Sequence, residues 1–113
     1  VLNPIYFDYD RSNVKPKAAF ELDKLVAIMK KYPAFIIKVE SHTDSKGKDE
    51  YNMSLSEKRA QATVQYIISK DISASRITGE GFGKSKPVND CGDGCADSER
   101  QKNRRSEFII VEQ

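Results

Sequence analysis

The chain reads as an α/β (α+β) two-layer sandwich with the order β-α-β-α-β-β, a mixed sheet carrying both helices on one face. Three observations predict this. Four short segments alternate apolar and polar residues with the period of a strand, and two longer ones carry apolar residues at helical spacing. The helical segments follow the first and second strands. A strand–helix–strand crossover is right-handed, so the first three elements form a parallel or split unit and both helices fall on one side of the sheet.

Ile5, Phe7 and Tyr9 alternate with Tyr6 and Asp8 in the first strand, and Asp10-Arg11-Ser12-Asn13 is turn chemistry. Pro16 marks a helix start, since proline is well tolerated at the first helical position. Ala18, Leu22, Leu25, Val26 and Met29 form its apolar face. Lys30 and Lys31 place positive charge at the negative end of the dipole, and Pro33 stops the helix just beyond. The second strand sets Phe35, Ile37 and Val39 against Ile36, Lys38 and Glu40. After a polar loop from Ser41 to Asn52, Ser54-Leu55-Ser56-Glu57 has the spacing of a capping box, predicting a helix that starts there and ends near Lys70. Its apolar face is Ala60, Val64, Ile67 and Ile68. Ile77 to Gly81 is a glycine-weakened third strand and Ser106 to Val111 a fourth, separated by a long polar loop from Gly83 to about Lys102.

The 113 residues are enough for one domain, 1–113, and 26 of them are Val, Ile, Leu or Phe, enough to build a modest core. A net charge of +2 is too small to point to nucleic acid or an anionic membrane. No apolar run approaches the roughly 20 residues of a membrane-spanning helix. Cys91 and Cys95 flank Gly-Asp-Gly, and the single histidine, His42, is remote in sequence; no metal site is expected. The preferred reading of the cysteines is a local disulfide, Cys91–Cys95, in an oxidising compartment; the alternative is a pair of exposed thiols.

Gly79-Glu80-Gly81-Phe82-Gly83-Lys84-Ser85 looks like a phosphate loop but has one residue too few before Gly-Lys-Ser, and Lys86-Pro87 follows instead of a helix. His42 with Asp44 and nearby serines lacks a strained nucleophile turn, so His42 is read as a loop hydrogen-bonder and no catalytic residue or cofactor is assigned. Arg100 to Arg105 is the densest basic stretch: either the solvated start of a strand or a wall that recognises a carboxylate or phosphate. One pairing is sharper. Asp44 follows a strand and Arg59 lies in the second turn predicted for the next helix. They form either an ion pair or the two ends of a zwitterion site.

The chain resembles the OmpA-like domain, the C-terminal module of outer-membrane porins, peptidoglycan-associated lipoproteins and flagellar stator proteins. The segments that carry the resemblance begin with Ile5 to Asp10, Ser41-His42-Thr43-Asp44-Ser45-Lys46-Gly47 and Tyr51 to Ala60. They continue through Arg76-Ile77, Gly79 to Gly83, and Glu99 to Phe108. The resemblance implies a non-enzymatic domain that binds peptidoglycan non-covalently through the diaminopimelate of the stem peptide. That would tether an outer-membrane or envelope protein to the wall from the periplasm, attached to the outer membrane through the parent protein. The family's ligand-holding pair falls on Asp44 and Arg59, with Phe7, Asp8, Thr43, Asn52, Leu55 and Arg104 in support. It also implies that the chain is excised from a longer envelope protein, and that Arg59→Ala abolishes binding with the fold intact. The alternative is an envelope protein–protein interaction module on the same scaffold. Two departures stand out: Ser41 where the family often has Gly, and the Cys91 to Cys95 insert in the loop before the last strand.

Overall fold

A computed structural model of the chain describes residues 3–8, 11–43, 48–85 and 101–112. The elements follow the expected order: β1 (Ile5–Tyr6), α1 (Pro16–Lys31), β2 (Ile36–Ser41), α2 (Asp49–Ser69), β3 (Ile77–Gly81) and β4 (Arg105–Glu112). A 3₁₀ turn, Ala74–Arg76, leads into β3.

The sheet order is β1-β4-β2-β3. The last strand lies between the first two, antiparallel to both, while β2 and β3 are parallel. The β1-α1-β2 unit is therefore split, with β4 in the gap. Both helices cover one face. Ile5 and Phe7, then Ala18, Leu22, Leu25, Val26 and Met29 of α1, meet Ile37 and Val39 of β2, Ile77 of β3, and Val64 and Ile67 of α2 in one core. Phe108 of β4 packs against it.

The ends of α1 are as the sequence dictates. Pro16 opens it, Lys30 and Lys31 sit in the last turn, and the Arg76 guanidinium donates to the carbonyls of Met29 (2.7 Å) and Tyr32 (2.9 Å). Those carbonyls would otherwise be among the unpartnered acceptors of a helix end.

Helix α2 differs from the prediction. It starts at Asp49, with Lys48 as N-cap and no side-chain cap, so Ser54 is an interior helical residue and the capping box does not form. Two forces extend the helix by more than a turn. Asp49 and Glu50 place negative charge in the first turn, where the dipole favours it. Asn52, Leu55 and Ser56 are buried only because those turns are helical and lie against the sheet. The Glu57 carboxylate, expected to reach back to a cap, instead accepts the backbone N–H of Gly81 (3.1 Å). Strand β1 is also shorter than the alternation suggested, although the Phe7 amide still reaches the Arg104 carbonyl (2.8 Å).

The glycines of β3 have a packing role. A Cβ on Gly79 would lie 2.9 Å from Val64 Cγ2, and one on Gly81 2.4 Å from Ser56 Oγ and 2.5 Å from the Glu57 nitrogen. Helix α2 thus sits directly on the backbone of β3. The phosphate-loop look of this segment comes from that contact.

Candidate functional site

Arg59 is the centre of the site. It is fully buried in α2, and three of its N–H groups point at backbone carbonyls from three places in the chain. Nε donates to Arg11 O (2.9 Å), Nη1 to His42 O (3.0 Å) and Nη2 to Asp8 O (3.1 Å). The guanidinium lies 5.2 Å from the centre of the Phe7 ring, a cation–π contact away from water. One cation therefore gathers the segment after β1 and the segment after β2 onto the buried face of α2.

The other expected residues surround it in layers. Phe7 is buried and closes one side of the guanidinium. Asp8 turns its carbonyl to Arg59 and its carboxylate outward to Lys15 Nζ (2.8 Å). The hydrogen bond from Lys15 holds the Asp8 carboxyl below its usual range. Arg104, also buried, donates from Nε to the Phe7 carbonyl (3.0 Å), so Phe7 and Arg104 bond each other through both backbone and side chain. Thr43 is buried next to His42, its amide bonded to Gly83 O (2.9 Å). Asn52 and Leu55 lie seven and four residues before Arg59, on the same buried face of α2. Asp44, Cys91 and Cys95 lie outside the described residues.

Two readings of this region change. Arg59 sits deep in α2 because the helix starts earlier than predicted. The stretch ending at Arg105 divides over its described part: Lys102 is exposed, as in a solvated strand start, whereas Asn103, Arg104 and Arg105 are buried. No group of three or more metal-ligating side chains occurs among the described residues.

Several contacts around the site left no mark in the sequence. Ser56 Oγ donates to the Met53 carbonyl (2.8 Å) and accepts the Gly83 amide (2.9 Å), so the loop holding Thr43 is indirectly pinned to α2. His42 stacks on Phe82 with ring centres 5.5 Å apart, and its Nε2 lies 3.4 Å from a Glu107 carboxylate oxygen that Arg105 also contacts at 3.0 Å. The Ser41 hydroxyl hydrogen-bonds that of Ser106, its register partner, which in turn lies 3.2 Å from Thr63 Oγ1. The departure at Ser41 is thus absorbed between strands.

The model of the OmpA family matches residues 6–104, and the chain belongs to that family. It is 38% identical over 109 residues to outer membrane porin F of Pseudomonas fluorescens, covering 96% of this chain and 32% of the porin. It is 37% identical over 89 residues to the peptidoglycan-associated lipoprotein of Rhizobium meliloti, covering 79% of this chain and 51% of the lipoprotein. The crystal structure of the peptidoglycan-associated lipoprotein from Burkholderia pseudomallei superposes with a TM-score of 0.84 at 28% identity, covering 97% of this chain and 89% of that one. The chain spans about a third of the porin and about half of the first lipoprotein. In kind it is an OmpA-like domain of the type found in peptidoglycan-associated lipoproteins.

Proposed function

We propose that this domain is a non-enzymatic cell-wall anchor that binds peptidoglycan through the diaminopimelate of the stem peptide, in the periplasm. The observation that carries the reading is the grip of Arg59 on the carbonyls of Asp8, Arg11 and His42. It fixes a buried positive charge where the segments bearing Asp8 and Thr43 converge, with Asp44 next in sequence. Diaminopimelate carries, away from its peptide links, an ammonium and a carboxylate on one carbon. Arg59 takes the carboxylate and Asp44 the ammonium, each contact contributing roughly 1.5–3 kcal/mol. Arg59 has no solvent-accessible surface, so the carboxylate reaches it only through a local opening. Lysine in the same stem position lacks the second carboxylate and would leave the buried guanidinium without that partner, which gives discrimination.

Calorimetric titration with a diaminopimelate-containing stem peptide, beside its lysine counterpart, tests this. The first binds and the second does not, and Asp44→Asn abolishes binding while circular dichroism stays unchanged. Equal binding of both peptides, or of neither by folded protein, would overturn the reading. In the latter case an envelope protein partner becomes the alternative.

A further inference from the structure

A cleft of about 540 Å³ opens where β1, the first turns of α1 and the Gln101–Lys102 segment meet. The buried side chains of Ile5 and Ala18 line it together with exposed Tyr6, Lys17 and Lys102 and half-buried Lys15. Among the described residues that line it, the acidic one, Glu21, is already engaged by Lys24 at 3.3 Å. Lys17 and Lys102 form no ion pair among the described residues. The cleft thus combines an apolar floor with excess positive charge, and its complement is a small ligand carrying both methyl groups and a carboxylate.

Its position says which. Lys15 belongs to the cleft and also holds the Asp8 carboxylate at 2.8 Å, while the Asp8 carbonyl accepts from Arg59. The cleft and the Arg59 site therefore share a wall. A chain held at Arg59 by one residue would bring its neighbours toward Asp8 and the cleft beside it. The residues flanking diaminopimelate in a stem peptide are alanines, which offer methyl groups, and a γ-linked D-glutamate, whose α-carboxylate is free. We propose that this cleft is a second subsite for the same polymer, taking a carboxylate of the stem peptide outside diaminopimelate on Lys17 and Lys102. The inference rests on the wall-anchor reading above. It adds that the domain recognises a peptide rather than a single amino acid. Because the two parts are covalently joined, the second contact forms at high effective concentration and strengthens binding with little extra cost.

The test compares wild type with the double variant Lys17→Gln/Lys102→Gln by NMR titration. The probes are free meso-diaminopimelate, the stem tetrapeptide ending in one D-alanine, that tetrapeptide with the D-glutamate α-carboxylate amidated, and that tetrapeptide with its terminal D-alanine replaced by ethylamine. Lys15 is left intact because it holds Asp8. Wild type is expected to bind the tetrapeptide at least tenfold more tightly than free diaminopimelate. The double variant loses about tenfold for the tetrapeptide and nothing for the free amino acid. If amidation reproduces the loss in wild type, the D-glutamate is the source of the carboxylate; if only removal of the terminal D-alanine carboxylate does, the peptide end is. A double variant that binds the tetrapeptide as wild type does, or that loses free diaminopimelate equally, overturns the subsite. Wild type that binds the tetrapeptide but not the free amino acid, with the double variant weakened, would keep the cleft and sink the Arg59 assignment. Failure to bind the tetrapeptide at all sinks both.

Discussion

Arg59 has a structural role beside the binding role proposed for it. Its three bonds to the carbonyls of Asp8, Arg11 and His42 tie two segments to α2, so replacing it removes more than a ligand contact. Hydrogen bonds to a charged donor are worth about 1.5–3 kcal/mol, and buried acceptors left without partners add to the loss. Arg59→Ala is expected to destabilise the domain by about 3–5 kcal/mol, a large share of the stability of a domain this size. A fall in urea midpoint with an unchanged slope measures it. This replaces the expectation that the alanine variant keeps the fold intact. Arg59→Lys, which retains the charge and part of the bonding, should lose binding with a smaller fall in midpoint. The importance of Arg59 was legible in its spacing from the His-Thr-Asp loop. Its partners were not, because backbone carbonyls are present at every residue and leave no mark in a sequence.

Among the elements, α2 and β3 approach each other closely at Gly79 and Gly81. Gly81→Ala would drive a Cβ to 2.5 Å from the Glu57 nitrogen, and a backbone atom cannot swing aside as a side-chain tip can. The variant should lose about 1–3 kcal/mol, the usual cost of overpacking, and thermal unfolding would register it as a lower midpoint. The displaced helix would carry Arg59 with it, so binding should weaken more than the population of folded protein accounts for. The apolar faces of both helices were readable because burial repeats with helical period: Ala18, Leu22, Leu25, Val26 and Met29 are all buried. The start of α2 was misread because a strong local motif at Ser54–Glu57 competed with tertiary packing, and packing prevailed. Glu57 still accepts a backbone amide, that of a strand instead of a helix.

For the whole molecule, the number, type and order of the elements follow from the sequence, and their lateral order does not. Period-2 alternation identifies a strand but says nothing of its neighbours. That β4 separates β1 from β2 is fixed by pairings such as Ile5 with Ser106 and Lys38 with Ile109, which are remote in sequence. The amides of Phe7 and His42 bond to the carbonyls of Arg104 and Arg105, at the start of β4. Both should therefore exchange their hydrogens only when β4 leaves the sheet, with the same free energy of opening. Native-state hydrogen exchange would show two amides 35 residues apart merging into one isotherm; separate isotherms would mean that the two flanks of β4 open independently.

The central place of β4 also orders events in time. A chain made from its N-terminus presents β1, both helices, β2 and β3 before the strand that joins the first to the second exists. Until β4 arrives, the Phe7–Asp8 segment has no sheet partner to hold it against Arg59. The surroundings of Arg59 are consequently completed late, when the last strand slots into the gap left for it.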